Sequence, residues 1–310
     1  MFISRVGGVI AAASQKASKP NLQLGSITVV KRIVLTMQQA GVFPIVVITG
    51  VEADAVKYQL AGRGIVFLHN EAFQEPELMD SVRIGLAFLQ DRCKRVVFTP
   101  VNVPLFSPAT LQRLLATPGD IVTPSYQHRG GHPVVLSQEV LPAILGYRGN
   151  DGLRGAIASL AAQRTWLDVA DEGVTLTIHR EPELKAYLES HRNAFLHPHV
   201  QLRLEGEEEL LGTRARLLLV LIGITHSVRA ASEMMALSGS KAWNILNKLE
   251  AALGYPLITR RQGGQQGSRS DLTEKGLAFL AAFQQYEDQV IAYSNDQFDV
   301  LLRASGLLRP

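Results

Sequence analysis

The 310-residue chain contains one cysteine, Cys93, and no long apolar run. A single thiol excludes an internal disulfide and any zinc site built from four cysteines, and it fits a reducing compartment. No segment approaches the ~18 consecutive apolar residues that suggest a membrane-spanning helix. The net charge of +3 is too small to indicate nucleic-acid binding by itself. We therefore expect a cytoplasmic protein without a membrane partner.

The remaining composition is that of a globular protein, with 46% hydrophobic and 19% charged residues. The length of the chain predicts two domains, each able to bury a core. The apolar run from Val6 to Ala13 is at the lower limit for the core of a signal peptide. A buried first strand explains this run better.

Strand and helix patterns alternate over residues 1–190. Continuous β-branched and apolar runs are typical of parallel strands that are covered on both faces. We predict a doubly wound, Rossmann-like α/β domain with its ligand site at the carboxyl ends of the strands. The predicted strands are 6–12, 44–49, 65–68, 95–99, 121–123, 133–136 and 174–178. The predicted helices are 26–40, 52–61, 78–91, 108–116, 153–162 and 181–192.

Residues 191–200 break this periodicity and contain Pro198. Three histidines in the segment, His191, His197 and His199, are compatible with a metal cluster. No carboxylate or cysteine is spaced to complete such a site, so a polar linker is the better interpretation. A second domain is expected over residues 201–310.

Two short helical patterns in this second domain precede a basic, glycine-rich segment. A leucine-rich helix over 214–224 comes first, and Ser238 is placed to cap the later of the two short helices. In that helix Trp243, Leu246, Leu249 and Leu253 form an apolar face, whereas Lys241, Asn244 and Lys248 form a polar one. The glycine-rich segment, residues 262–270, suits a hairpin tip. This order is that of a winged helix-turn-helix, although a solvated helix pair with a surface loop has the same pattern.

Charge is distributed unevenly along the second domain. Residues 212–276 contain nine Lys or Arg against four Asp or Glu, whereas the flanks 205–209 and 287–299 are acidic. Basic charge is thus concentrated on the segment that is predicted to bind DNA.

A long final helix is predicted after Thr273, which can cap it. Along this helix Phe279, Phe283, Tyr286, Val290 and Tyr293 recur at spacings of 4, 3, 4 and 3. This short heptad pattern predicts a dimerisation helix; the alternative is that the same face packs on its own domain.

Residues 202–283 resemble the DNA-binding domain of the molybdate-responsive transcription repressors. The resemblance rests on LRLEG, SVRAA, SGSKAWNILNKLE, PLITRRQGG and LTEKG. It implies a homodimer that reads a palindromic operator in double-stranded DNA. The candidate DNA-binding residues are Ser227, Ser240, Lys241, Asn244, Lys248, Arg260, Arg261 and Arg269.

Residues 4–188 resemble the molybdenum-cofactor nucleotidyltransferases. The matching segments are VIAAA, SKP, NEAF, MDSVRIGL, TPVNVPLFSP, GGHPVVLS and GNDGLRGAI. The resemblance implies transfer of a nucleotide from CTP or GTP to molybdopterin, with Mg²⁺ as cofactor. The candidate pocket residues are Ala13, Ser14, Lys16, Lys19, Asn70, Ser81, Arg83, Asn102, His132 and His179. His132 could instead be a loop anchor.

The chain departs from this second family at the residues that handle metal and phosphate. The phosphate-binding loop is shorter and lacks the family's glycine and arginine, although Lys16 or Lys19 could still meet a phosphate. The family's magnesium-binding aspartates correspond to Asn102 and His179 here. A neutral amide and an imidazole are poor ligands for Mg²⁺. A displaced carboxylate from Asp168, Asp171 or Glu172 is the alternative.

The sequence therefore favours a transcription regulator linked to molybdenum or its cofactor, in which an impaired nucleotidyltransferase domain senses a nucleotide, a pterin or the cofactor. One alternative is an active molybdenum-cofactor nucleotidyltransferase with a regulatory tail, which would need Mg²⁺ and CTP or GTP. A further alternative makes the α/β domain an inert scaffold.

Overall fold

A computed structural model describes residues 4–13, 19–71, 78–160, 163–178, 181–261 and 269–305. The chain divides into two compact units. The first contains Ile3–Leu60 and Phe67–His197, and the second contains Pro198–Pro310 together with Ala61–Val66.

The first unit is a mixed α/β sheet with helices. Its described strands are β1 (Ser4–Ala12), β2 (Gln23–Leu24), β3 (Ile27–Thr28), β4 (Ile45–Thr49), β5 (Ile65–His69), β6 (Cys93–Pro100), β7 (Ile121–Tyr126), β8 (Arg129–Gly130), β9 (Val134–Ser137) and β10 (Arg164–Asp168). Its described helices are α1 (Val29–Gln39), α2 (Ala53–Gln59), α3 (Leu78–Leu89), α4 (Pro108–Ala116), α5 (Leu141–Gly146), α6 (Gly152–Ser159) and α7 (Glu181–Ser190).

The main sheet of the described residues has the order β10-β7-β9-β6-β1-β4-β5, and β8 pairs with β7 as its eighth strand. Strand β1 pairs in parallel with β4 on one side and with β6 on the other. Strand β9 runs antiparallel between β6 and β7. Strand β10 pairs in parallel with β7, so the sheet is mixed, with parallel pairs on both sides of β9.

Close packing on both faces of β1 depends on glycine. A Cβ at Gly8 would lie 2.9 Å from Met37 Sδ of α1, and a Cβ at Gly7 would lie 2.8 Å from Leu89 Cδ1 of α3. Neighbouring strand residues point to opposite faces, so α1 and α3 cover opposite sides of the sheet. Gly85 of α3 makes room for Val9 in the same way.

The sequence predicted most of these elements and was wrong in several places. Residues 174–178 do not form a strand; a 3-10 helix occupies Glu172–Val174 instead. The strands β2, β3, β8 and β10 and the helix α5 were not predicted. The predicted strand 133–136 is present as β9, but it is antiparallel, so the sheet is not the all-parallel one that the apolar runs suggested.

The second unit is mainly helical, with two small hairpins. Its described elements are β11 (Leu204–Glu205), β12 (Glu209–Leu211), α8 (Thr213–Thr225), α9 (Val228–Met234), α10 (Gly239–Leu253), β13 (Ile258–Arg261), β14 (Arg269–Leu272) and α11 (Glu274–Ala304). Strands β11 and β12 pair antiparallel, as do β13 and β14. The predicted hairpin tip lies almost entirely in 262–268, outside the described residues.

Helix α8 forms the centre of this unit, since its residues from Ala215 to Ile222 are buried. Its one buried cation, Arg216, donates to the carboxylate of Glu287 and to the amide oxygen of Gln284 on α11. Burial lowers the pKa of Arg216 and raises the pKa of Glu287, and their mutual attraction opposes both shifts. The pair ties α8 to α11.

The junction between α8 and α9 is fixed by His226, whose backbone is left-handed (φ 55°). Its Nδ1 lies 2.5 Å from Oδ1 of Asp271, and its carbonyl oxygen accepts from the amide of Ser270 on β14. Arg269 donates to both carboxylate oxygens of Asp271. The hydrogen bonds from Arg269 contribute most to lowering the pKa of Asp271.

Two apolar patterns in this unit differ from prediction. Trp243 is 37% exposed and lies beside the Arg260 guanidinium, whereas Ala242, Leu246 and Leu249 form the buried face of α10. On α11, Phe283 is buried within its own unit, whereas Tyr286 and Tyr293 are 52% and 66% exposed. The five predicted heptad residues therefore do not form one continuous exposed face.

Within the described ranges, no helix combines the length and apolarity needed to cross a bilayer.

We predict that Gly276→Ala destabilises the second unit by about 1–3 kcal/mol, because its Cβ would collide with the carbonyl oxygen of Leu257. A backbone oxygen cannot rotate away, and the gain in helix propensity, about 1 kcal/mol, is too small to compensate. Urea unfolding followed by circular dichroism measures the change.

Gly239→Ala is the matched control, since a Cβ at this first residue of α10 meets nothing within 4 Å. Equal unfolding midpoints for the two variants would contradict the steric explanation for Gly276.

Candidate functional site

A cavity of about 920 Å³ lies in the first unit. Residues of α3, α6 and strands β6 to β10 line it, so it lies on the part of the sheet where β9 runs antiparallel. Its polar lining includes Arg129, Arg154, Arg164, Asp151 and His132. Three guanidinium groups against one carboxylate make this lining cationic.

Arg164 is held by contacts on two sides. Its guanidinium carbon lies 3.7 Å from the centre of the Trp166 ring, and its Nε donates to Thr123 Oγ1 at 3.1 Å. Burial first, and the charge of Arg154 second, lower the pKa of Arg164. Arginine still remains protonated near neutral pH, because its reference pKa is so high.

Two glycines allow the chain beside the cavity to pack closely, Gly130 against Trp166 and Gly131 against Val174. A Cβ at Gly130 would lie 2.9 Å from Cζ3 of Trp166, and a Cβ at Gly131 would overlap the carbonyl oxygen of Val174. The GGHP motif therefore brings the β8 backbone against the indole and against the 3-10 turn. This close approach places Arg129 at the cavity.

Among the described residues of the predicted pocket, only His132 lines this cavity. Its backbone amide donates to Val174 O at 2.8 Å, and its buried Nδ1 has no hydrogen-bond partner within the described part of the chain. Burial lowers the pKa of His132 to about 4. The imidazole is thus neutral near pH 7 and adds no charge to the lining.

Other predicted pocket residues bond to one another or to backbone elsewhere in the unit. Asn70 Nδ2 donates to Ser81 Oγ at 3.3 Å, and both side chains are buried. Arg83 donates to the Tyr147 carbonyl oxygen at 2.9 Å and lies 3.5 Å from Asp80. These contacts connect α3 with its surroundings.

The segment after β1 is described only at its two ends. Ala13 is buried, and Lys19 is exposed with its carbonyl oxygen accepting from Leu22. Ser14 and Lys16 lie outside the described residues, as does His179. The predicted pocket roles of these three residues stay predictions.

The described residues do not fit a magnesium site. Oδ1 of Asn102 is buried without a hydrogen-bond partner, but a neutral amide lacks the charge of a carboxylate. No group of three or more His, Cys, Asp or Glu in the described part of the chain could hold a metal.

Asp171, one of the displaced carboxylates that the sequence suggested, already accepts three hydrogen bonds. It accepts from the amides of Ser107 and Gly173 at 2.8 and 2.9 Å and from the Tyr187 hydroxyl at 2.9 Å. Burial, followed by the charge of Asp171, raises the pKa of Tyr187. Asp171 thus fixes the 3-10 turn and α7.

The second candidate site is the surface of α10 with the β13–β14 hairpin. Ser240, Lys241 and Asn244 are exposed on the first turns of α10. Ser238 caps this helix by accepting from the Lys241 amide, and Ser227 caps α9 by accepting from the Ala230 amide. The predicted contact residue Ser227 therefore also has a structural role.

Three predicted DNA-binding cations already contact carboxylates of their own unit. Lys248 pairs with Glu208 of the β11–β12 turn, and Arg269 pairs with Asp271. Arg260 donates to Glu250 at 2.7 Å and to Asn247 at 2.9 Å. For Arg261 the structure describes the backbone, which belongs to β13, and not the side chain.

A central parallel β4-β1-β6 core, an antiparallel strand beyond it and a cationic cavity define a nucleotidyltransferase-like α/β domain, here followed by a helical unit. The sequence profile of the MobA-like NTP transferase domain matches residues 5–165. The chain belongs to this family.

Solved structures agree with this fold at low sequence identity. A nucleotidyl transferase from Methanothermobacter is 18% identical with a TM-score of 0.52, covering 61% of this chain and 97% of its own. The 4-diphosphocytidyl-2C-methyl-D-erythritol synthase of Anaerococcus prevotii is 13% identical with a TM-score of 0.50, covering 60% and 96%. An Rv0371c homologue from Mycobacterium sp. strain JC1 is 19% identical with a TM-score of 0.50, covering 61% and 100%.

No curated protein matches the chain significantly. These structural similarities establish the fold of the first unit and do not assign it a chemical reaction.

Most of the cavity lining was not predicted from the sequence. Arg154 and Gly130 lie in motifs that carry the family resemblance, but no role was predicted for the arginine. Arg164 and Trp166 lie on β10, the strand that the apolar pattern did not reveal. The signal that could have found them is an arginine and a tryptophan two residues apart, on one face of a strand.

Proposed function

We propose that the protein is a DNA-binding transcription regulator whose first unit is a catalytically impaired nucleotidyltransferase domain that senses a ligand. The observation that carries the proposal is the exposed polar surface of a serine-capped α10 beside the β13–β14 hairpin. We link the regulator to molybdenum or its cofactor through the motif resemblances of both units.

The α9–α10 pair has the features of a helix-turn-helix. A recognition helix contacts base edges with the residues of its first turns, and those positions in α10 are Ser240, Lys241 and Asn244. Asparagine can bond adenine in the major groove, and lysine can bond guanine or phosphate. The described surface thus offers both base-reading and phosphate-binding groups.

The hairpin supplies the wing of the proposed motif. Arg260 of β13 is held beside the Trp243 ring at 5.3 Å, and Arg269 of β14 is held by Asp271 of the same strand. Both arginines are exposed and lie on paired strands. Pre-organised cations of this kind reduce the side-chain entropy lost when a phosphate is bound.

A homodimer formed through α11 completes the DNA-binding proposal. The helix spans 31 residues, and its later part exposes Tyr293, Val300 and Leu301. Burial against a second copy would remove these apolar groups from water. Two half-sites would then lie about one helical turn apart, ~34 Å, or a multiple of it, in a palindromic operator.

The sensing role of the first unit is supported by the contrast between its cavity and its metal site. The cavity keeps a cationic lining, whereas Asn102 cannot supply a carboxylate and Asp171 already accepts three hydrogen bonds. A ligand changes DNA affinity when it binds two states of the protein differently. A nucleotide, a pterin or the molybdenum cofactor is the ligand class we propose.

Membership of the transferase family favours a second candidate, an active molybdenum-cofactor nucleotidyltransferase with a regulatory tail. Nucleotidyl transfer needs charge on the triphosphate to be neutralised. We expect no steady pyrophosphate release when the protein is incubated with molybdopterin, Mg²⁺ and CTP or GTP. Steady pyrophosphate release that disappears in Lys19→Ala would show that the first unit is an active transferase and would refute the impaired sensor.

Lys241→Ala should weaken operator binding and lower the salt slope by about one unit if this lysine neutralises one phosphate. Mobility-shift titrations at several salt concentrations measure both quantities on an operator selected from random DNA. Arg303→Ala, at the end of α11, removes the same charge far along the chain. An unchanged slope for Lys241→Ala would remove the lysine from the interface.

Glu208→Gln should tighten DNA binding several-fold, because Lys248 would then bind a phosphate without first breaking its ion pair with Glu208. Glu207→Gln makes the same change in net charge, and no ion pair of Glu207 is found among the described residues. Equal affinities of the two variants would show that only net charge matters.

A further inference from the structure

We infer that the cavity of the first unit binds an organic anion carrying at least two negative charges, and that Arg129, Arg154 and Arg164 hold it without a metal ion. The inference deepens the sensing part of the proposed function and rests on it. The DNA-binding part is independent of it.

The charge of the cavity is available to a ligand. Arg129 and Arg154 are exposed, and neither forms an ion pair among the described residues. Asp151 is the one carboxylate among the described residues of the lining. Three guanidinium groups and one carboxylate leave a net charge of two, so a ligand with two or more negative charges balances the site.

Arg164 is oriented before any ligand arrives. Stacking on Trp166 uses the flat face of the guanidinium, and the bond to Thr123 uses its Nε. The terminal N–H groups lie in the plane of the guanidinium and remain able to donate in pairs to phosphate or carboxylate oxygens. Trp166 is therefore a positioning residue for Arg164, and Gly130 gives the indole its space.

Repulsion between the cations also favours an anion here. The charge of Arg154 contributes to the lowered pKa of Arg164, so the two guanidinium groups are close enough to interact. A bound anion relieves this repulsion and replaces the hydration that burial removes. The same arrangement without a ligand costs free energy.

The rest of the lining requires an organic body on the ligand. Met79, Phe98 and Ile157 contribute apolar surface to the cavity, and the neutral His132 adds no charge. A volume of about 920 Å³ is of the size that small-molecule sites usually have. An inorganic polyanion fills the charged part of such a site and leaves the apolar part empty.

Metal independence follows from the choice of groups. Guanidinium groups neutralise phosphate or carboxylate oxygens directly, and the described residues contain no group of three or more His, Cys, Asp or Glu that could hold a metal ion. The first unit can therefore lose the metal that transfer requires and still retain an anion.

The two tryptophans of the chain allow a direct test, because Trp166 lines the cavity and Trp243 belongs to the second unit. In full-length Trp243→Phe protein, Trp166 is the only indole. Its fluorescence is titrated in EDTA with GTP, CTP, citrate, tripolyphosphate and guanosine. We expect saturable binding of at least one of GTP, CTP and citrate, weaker binding of tripolyphosphate, and none of guanosine.

The same titrations show whether the cavity binds phosphate or carboxylate groups, since the nucleotides carry phosphate groups and citrate carries carboxylate groups. In the same background, Arg154→Gln and Arg129→Gln should each weaken binding about tenfold or more. Arg113→Gln, an exposed arginine on α4, is the matched charge control. Because the substituted cavity arginines are exposed, the fold should survive, as circular dichroism will verify.

The inference is overturned if none of the three organic anions binds, or if guanosine binds as well as GTP. It is also overturned if EDTA abolishes binding that is seen with Mg²⁺, or if Arg113→Gln weakens binding as much as the cavity variants. A mobility-shift titration of wild-type protein runs in parallel. Loss of DNA binding with intact anion binding would refute the regulator alone, and the reverse result would refute the cavity ligand alone.

Discussion

The close packing of helices on both faces of β1 is the constraint on which the first unit depends. Gly7 and Gly8 admit α3 and α1 to opposite faces, and Gly85 admits Val9. With β1 fixed between β4 and β6, the strands β9, β7 and β10 extend the sheet beyond β6 to the half that contains the cavity. Larger side chains at these glycines would separate the layers and displace the strands that carry the cavity arginines.

Charge is handled differently in the two units. In the first unit, three arginines converge on a cavity that contains one described carboxylate. In the second, Lys248, Arg260 and Arg269 each meet a carboxylate of the same unit. A cation with an internal partner exchanges one anion for another on binding, whereas an unpaired cation gains a partner. The DNA affinity that we propose for the second unit would therefore depend on small differences between carboxylate and phosphate contacts.

Sequence pattern predicted the elements that are long or capped, and missed those whose burial is irregular. Helix α4 was predicted with its observed bounds, and the cap at Ser238 is present. Strand β10 is only partly buried at the sheet edge, so it has no continuous apolar run, whereas residues 174–178 are largely apolar without being a strand. The cavity arginines come from separate segments, and the Glu208–Lys248 pair joins residues that spacing cannot relate.

The contacts of His226 give the β13–β14 hairpin a mechanical role. His226 immediately precedes the cap of α9, and it is joined through Asp271 to Arg269 and through its carbonyl oxygen to Ser270. Because these contacts join β14 to the residue that precedes the cap of α9, a displacement of β14 would be transmitted to the start of α9.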